Sequence, residues 1–342
     1  MNPSIRGAPA PRCPLCGTAG EALYTGLRDR LFSAPGEWSH RRCPAPDCGL
    51  LWLDPMPVAE DLGLAYASYY THVEPPARRG PVARLFADAK RGYLANRFGY
   101  GEGASAWQRL LGLLPLAYPG RPAELDFSVM WLEAGARGRL LDVGAGSGWL
   151  VEHLNALGWR AEGLDFDERS VQAARARGLA MHLGGLPQQK FAEACFDAVT
   201  MSHSIEHVHE PAAWLAEARR ILKPGGRLAI ATPNARSLLH RRHGAHWFAL
   251  DPPRHLQLFN RAALASALRA AGFAQFRLFT SVREANGAWL GSRSIARTGR
   301  YDMTRPAPAP ARLLARLYQL QALARSAFDA DAGEDLVAIA RK

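Results

Sequence analysis

The sequence predicts an α/β protein: a doubly wound, Rossmann-like core with a cysteine-bracketed ribbon before it and helical additions around it. Three observations carry this. From about residue 137 onward, apolar runs of strand length alternate with helix-period segments, which argues for a parallel sheet covered on both faces. One run, Leu140-Leu141-Asp142-Val143, opens directly onto Gly144-Ala145-Gly146-Ser147-Gly148. Four of the five cysteines fall in the first fifty residues, as Cys13-Pro-Leu-Cys16-Gly and Cys43-Pro-Ala-Pro-Asp-Cys48-Gly.

In chain order, residues 1–12 are Pro-rich and are expected to be a disordered tail. Residues 13–57 form the ribbon, with Glu37–Arg42 and Leu50–Leu53 as strands and Asp54-Pro55-Met56-Pro57 as its break. Residues 58–136 read as a helical connector and substrate cap. Its first helix ends in Tyr66, Tyr69 and Tyr70, and Tyr70 is taken as a substrate contact. The core covers residues 137–298. Its strands are expected at 139–143, 160–164, 179–183, 197–202 and 227–232, and its helices at 148–157, 168–177 and 211–222. A helix over 261–271 and a strand over 273–280 follow. Residues 299–328 read as a Pro-rich linker and an amphipathic helix marked by Leu313, Leu314, Leu317, Leu320 and Leu323. The last strand of the core lies within residues 329–342.

Each cysteine pair brackets a tight turn followed by glycine, which frees backbone N–H groups to point at sulfur. Two such knuckles match a four-thiolate zinc site at Cys13, Cys16, Cys43 and Cys48. Disulfides are the competing reading and are disfavoured in a reducing compartment. A closed four-cysteine set leaves no open coordination position, so this zinc would be structural.

No apolar run approaches the ~20 residues that span a bilayer, and the N-terminus lacks the apolar core of a signal peptide. A cytoplasmic location is therefore expected. The chain of 342 residues carries a formal charge of +11. That favours an anionic partner, or it is spread over the surface without function. The arginine-bearing helix at 311–327 could lie on an anionic membrane or pack on the core. Oligomeric state is not readable.

The glycine loop excludes more than it permits. Dinucleotide loops place their last glycine where Trp149 stands, and a phosphate loop would end in Gly-Lys-Ser/Thr. Asp142 would repel a pyrophosphate but suits a cationic amino-acid moiety. Arg160 to Leu164 reads as the next strand and ends in Asp165, where a carboxylate can accept both ribose hydroxyls. These features together fit S-adenosylmethionine, which carries an ammonium, a sulfonium and a ribose but no phosphate. The expected cofactor contacts are Asp142, Gly144, Ala145, Gly146, Gly148, Asp165 and Ser202. Phe166 either stacks on adenine or packs in the core.

The expected fourth strand delivers His203, Glu206, His207 and His209 to the carboxyl end of the sheet, where ligands bind in such folds. Imidazole titrates near neutrality and suits proton removal from an alcohol or phenol. The candidate catalytic residues are His203, Glu206, His207 and the later His255. His207 could instead brace the fold, and two histidines with a carboxylate could hold a metal. Trp247 and Arg254 lie in the loop after the fifth strand and are taken as contacts to a ring-shaped or anionic acceptor.

The motifs Leu141–Gly148, Gly163-Leu164-Asp165, Phe196-Asp197-Ala198-Val199, Ile205-Glu206-His207-Val208, Leu222–Gly226 and Thr232-Pro233-Asn234 occur in the order of the class I S-adenosylmethionine-dependent methyltransferases. Residues of roughly 125–285 and the last strand resemble that family. The resemblance implies a seven-stranded sheet with a last antiparallel hairpin. Glu206-His207 with Trp247 and Pro253-Arg254-His255-Leu256 looks like the branch that includes ubiquinone-biosynthesis O-methyltransferases. In that branch a glutamate three residues before the Glu-His pair completes a set that can bind a divalent metal. Here that position is His203. The place where many relatives read adenine with an acid is Gly184-Gly185-Leu186-Pro187 here. The function expected is methyl transfer to oxygen or carbon of a small molecule such as a sugar, a quinone-like ring or a natural-product intermediate. The alternative is a ribosomal RNA methyltransferase that grips RNA through the ribbon and a basic surface. Against it, the chain lacks the Asn/Asp-Pro-Pro-Tyr signature of amino-group methylation.

Overall fold

The computed structural model describes residues 4–66, 80–117 and 120–342. The core sheet has seven strands. They are β1 (Arg139–Val143), β2 (Arg160–Asp165), β3 (Met181–Leu183), β4 (Phe196–Ser202), β5 (Leu222–Pro233), β6 (Gln275–Ser281) and β7 (Asp335–Arg341). Their order across the sheet is 3-2-1-4-5-7-6. The strands of the parallel part are near-continuous apolar runs because helices cover both faces. Leu140, Leu141, Val143, Ala198, Val199 and Met201 are all fully buried. The order reverses between β1 and β4, whose parallel register pairs Leu140–Val143 with Ala198–Met201. That reversal opens the crevice at the strands' carboxyl ends.

β7 alone runs against its neighbours, inserted between β5 and β6. It is no tight hairpin partner of β6. The chain between them holds two helices, Ala285–Thr298 and Ala309–Ser326, the first of which the sequence pattern did not mark. In the second, the leucine stripe points outward. Ala315, Tyr318, Gln319 and Ala322 face the core, while Leu313, Leu314, Leu317, Leu320 and Leu323 are exposed.

The ribbon is fused to the core. Glu21–Leu27, Trp38–Arg42 and Leu51–Leu53 form an antiparallel sheet whose fourth strand, Gln257–Leu258, comes from the loop after β5. Leu50 and Trp52 share one apolar cluster with Phe259, Leu264 and the buried face of β4. The expected disordered tail is corrected for residues 4–12. Gly7–Ala8 pairs with Met56–Pro57, and Ile5 is buried beside Trp38 and Leu53. The Pro-rich composition hid a short strand that gains an apolar anchor.

Candidate functional site

The cofactor side of the crevice is built by β1, the glycine loop and β2. Gly144, Gly146 and Gly148 all have positive φ, which a side chain would resist. Gly144 also has no room for one, since a Cβ would come within 2.5 Å of Ser204 Cβ. The segment after β4 therefore lies directly on the loop. Gly144 and Ala145 donate their N–H groups to the Leu164 carbonyl at 2.8 and 3.0 Å. Gly146 donates to Asp165 Oδ2 at 2.7 Å, and Asp167 N–H to Asp165 Oδ1 at 2.8 Å. A carboxylate has about four acceptor positions, so Asp165 can hold the loop and still accept from a ribose. Phe166, beside it, is half exposed and meets Tyr66 edge-on at 5.3 Å; of its two readings, it is not a core residue. Asp142 is buried and accepts from Thr200 Oγ1 at 2.7 Å. Burial pushes its pKa up to about 7. Ser202 ends β4, opposite Ala231 of β5.

His203 follows with φ of +49°, a conformation that costs a non-glycine residue energy and clusters at functional sites. Arg283 Nη2 donates to its Nε2 at 2.7 Å, and its Nδ1 lies 3.3 Å from Glu206 Oε1. Burial opposes a charged ring, but the carboxylates of Glu206 and Asp335 outweigh it and raise the His203 pKa. A guanidinium only donates, so Arg283 occupies the lone pair that a base would use. The expectation that His203 faces the acceptor as a base is thus corrected: both ring nitrogens are engaged within the protein. Arg283 and Asp335 themselves pair at 3.1 Å, and no sequence motif marked either.

Glu206, His207 and His255 come together. Among the described residues they form one of two groups with metal-ligand chemistry, each contributing one ligand atom within 4.8 Å of the others. Glu206 is completely buried, its Oε2 accepts from Thr232 Oγ1 at 3.0 Å, and its Oε1 faces His203 Nδ1 at 3.3 Å. Burial works against its charge, yet His203 and the other imidazoles hold its pKa at about 2. His207 Nδ1 lies 2.9 Å from the Arg254 carbonyl and 3.0 Å from Tyr66 Oη. Burial and the neighbouring His255 push the His207 pKa down to about 4. His255 Nδ1 lies 2.7 Å from the Ala249 carbonyl. Tyr66 thereby links Phe166 on the cofactor side to His207.

Two expected acceptor contacts are corrected. Arg254 is fully buried; it pairs with Asp29 of the ribbon at 2.8 Å and with Asp251, and donates to the Ala65 carbonyl at 3.1 Å. Trp247 is buried, stacked on His240 at 4.4 Å, with Nε1 donating to Glu334 at 3.3 Å. Both brace the loop that carries His255. An arginine and a tryptophan in a loop look the same in sequence whether they face a ligand or the core. Tyr70 lies outside the described residues. Asp29, which also accepts from the N–H groups of Leu31, Phe32 and Ala34, escaped notice because its partner is 225 residues away.

The four ribbon cysteines converge as expected. Cys13 and Cys48 Sγ are 3.6 Å apart, and Cys16 and Cys43 Sγ 3.4 Å. Such non-bonded spacings fit edges of a tetrahedron with Zn–S of ~2.3 Å. Gly17 and Gly49 take the left-handed conformation that closes each knuckle. Asn260 donates to the Cys48 and Gly49 carbonyls at 2.9 and 2.8 Å, tying the second knuckle to the core.

Residues 121–276 match the family described as methyltransferase domain. The chain carries a class I S-adenosylmethionine-dependent methyltransferase domain. The domain is 32% identical over 138 residues to a ubiquinone biosynthesis O-methyltransferase from Alkalilimnicola ehrlichii, covering 38% of this chain and 56% of that one. It is 36% identical over 121 residues to the protein of the same name from Xanthomonas oryzae, covering 33% and 50%. The chain thus spans about half the length of these curated relatives. Among solved structures, a methyltransferase from Mesorhizobium loti aligns over 64% of this chain and 98% of that one, with 20% identity and a TM-score of 0.45. The stretch matched to the curated relatives lies in the methyltransferase domain.

Proposed function

We propose that this protein transfers the methyl group of S-adenosylmethionine to a hydroxyl of a small-molecule acceptor, such as a phenol, a quinone-like ring or a sugar. The observation that carries the reading is the Glu206–His207–His255 cluster, set against the glycine loop through Ser204 and linked to Phe166 through Tyr66. Asp142 and the loop would hold the methionine end, Asp165 the ribose, and Phe166 the adenine face. In the transfer the acceptor oxygen bonds the methyl carbon, the carbon–sulfur bond breaks and sulfur leaves as a neutral thioether. The hydroxyl proton must go elsewhere, and the imidazoles backed by the Glu206 carboxylate can take it up. The relatives named ubiquinone biosynthesis O-methyltransferase favour this acceptor class, and a ribbon spent on bracing the His255 loop favours it over RNA.

The four cysteines would hold about one structural zinc per chain. The exposed leucines of the Ala309–Ser326 helix, with Arg312 and Arg325, fit peripheral contact with an anionic membrane, which vesicle co-sedimentation checks. Among the described residues, no helix is long and apolar enough to cross one. The test of function is a screen with methyl-labelled cofactor against phenols, sugars and RNA. Label in a phenol or sugar supports the reading. Label in RNA alone, with steeply salt-dependent binding, rejects it.

A further inference from the structure

Around the turn Gly244–His246, three segments far apart in the chain bring cationic side chains together. Arg242, His243 and His246 come from the loop after β5, where the helix Leu238–His243 runs into that turn. Arg293 comes from the Ala285–Thr298 helix. That helix docks there because Phe248 N–H donates to Ser292 Oγ at 2.9 Å and the Phe248 ring fills the place where Gly291 lacks a Cβ. Arg30 reaches in from the ribbon, half-buried, and donates to the Ala245 carbonyl at 2.6 Å.

Each arginine is held by a group that orients it and leaves its charge uncompensated. A carbonyl holds Arg30. Arg242 Nη2 lies 3.4 Å from Gln321 Oε1, and its guanidinium stands 5.6 Å from the centre of the Tyr318 ring. Arg293 stands 5.1 Å from that of Trp289. Amides and aromatic faces steady a guanidinium without cancelling its charge. The carboxylates that flank these segments turn to other partners: Asp29 and Asp251 to Arg254, Asp302 to Arg305, and Asp329 to Arg241. Among the described residues, no carboxylate pairs with Arg30, Arg242 or Arg293. His243, half-buried between them, has its pKa pushed down by burial and by Arg242, His246 and Arg293, with nothing negative to offset them. Like charges gathered in this way repel until an anion joins them.

We propose that Arg30, Arg242, His243, His246 and Arg293 form a binding site for a phosphate-bearing small molecule, held through a diphosphate group. Three oriented guanidinium forks match the oxygens of adjacent phosphates, which arginine binds in bidentate fashion. Two imidazoles beside them add donors. The site lies outside the cofactor crevice and does not depend on the acceptor reading. It borders the acceptor loop, since Ala249, whose carbonyl meets His255, is three residues beyond His246.

The experiment is calorimetric titration of the full chain with inorganic pyrophosphate in low-salt buffer. One equivalent should bind, and saturation with S-adenosylhomocysteine should leave that affinity unchanged. Arg242 and Arg293 are exposed, so Arg242→Gln and Arg293→Gln test the site without opening the core. Each should weaken pyrophosphate binding by roughly 10- to 100-fold. Arg160→Gln, at the start of β2, removes the same charge elsewhere and should bind as the wild type does. Malonate, an anion without phosphate geometry, should bind more weakly. No binding to the wild-type chain overturns the site, and so does displacement of pyrophosphate by S-adenosylhomocysteine. Equal loss in Arg160→Gln would reduce the effect to net charge and overturn it too. Parity between malonate and pyrophosphate would overturn the phosphate class.

Discussion

The glycine-loop cradle and the Glu206–His207–His255 cluster lie against each other, yet they are assembled in opposite ways. The cradle is local: β1, the loop and the end of β2 fall within residues 139–167, and the hydrogen bonds that shape the loop run between neighbours in that stretch. The cluster is long-range. His207 and His255 come from separate loops, and the carbonyl that orients His207 belongs to Arg254, which is held by Asp29 of the ribbon. A site built this way should fail in halves. Damage to the ribbon should cost acceptor chemistry and leave cofactor binding, whereas damage to the cradle should do the reverse.

The sharpest break is at Asp29. It and Arg254 are both fully buried, and the guanidinium overcomes the burial that would otherwise disfavour the charge of Asp29. Asp29→Asn leaves a buried cation with one fewer carboxylate beside it. Removing one partner of such a pair should lower stability by ~3–5 kcal/mol, read as a shift in urea midpoint at unchanged slope. A change under about 1 kcal/mol would mean that solvent reaches the pair. Next in size, Cys43→Ser with Cys48→Ser should abolish zinc binding at the proposed ribbon site and loosen the His255 loop. Misplacement by about 1 Å can lower turnover on the order of 100-fold, so methyl transfer should fall by that much while S-adenosylhomocysteine binds as before. Equal loss of both would show that the two halves are one cooperative unit.

How much was legible follows the same division. Alternating apolar runs and glycines placed β1, β2, β4, β5 and the helices between them within a few residues, because local periodicity sets them. The convergence of the four cysteines was readable from their spacing, because two short knuckles bring thiols together in pairs. The Glu-His pair was visible as a motif. Its third member, His255, could be picked as a candidate but not joined to the pair, since spatial adjacency across 48 residues leaves no trace in spacing. Arg254 and Trp247 were misassigned for a related reason. A residue type reports what chemistry it can do, while its neighbours decide whether it does so toward a ligand or toward Asp29 and Glu334. The tail was misread because Pro-rich composition said nothing of the strand it would meet at Met56–Pro57.

On the cradle side, Asp165→Ala removes the acceptor for Gly146 and Asp167 as well as the proposed ribose contact. Hydrogen bonds to charged groups contribute ~1.5–3 kcal/mol, so S-adenosylhomocysteine affinity should fall roughly 10- to 100-fold. Zinc binding at the proposed ribbon site should stay the same. Isothermal titration of the variant with intact affinity would remove Asp165 from the cofactor site.

The smallest effect, and the one that best isolates the cradle, is a pH dependence at Asp142. Burial raises its pKa from 3.8 to about 7. The unfolded chain gives up this proton near its ordinary value, so between there and pH 7 the folded state holds more protons. The sign of linkage then makes this group's contribution to stability decline as pH rises through that window and level off above it. Binding a ligand ammonium runs the other way. A nearby cation favours the carboxylate, so S-adenosylhomocysteine should bind more tightly as pH rises, by about tenfold between pH 6 and 8, with release of a proton. Asp142→Asn keeps an acceptor for Thr200 but cannot ionise, and its affinity should be flat over that range. Calorimetry in two buffers of different ionisation enthalpy counts the proton directly. A wild-type profile as flat as that of the variant would place the ammonium away from Asp142, and the buried carboxyl would then serve only to join β1 to β4.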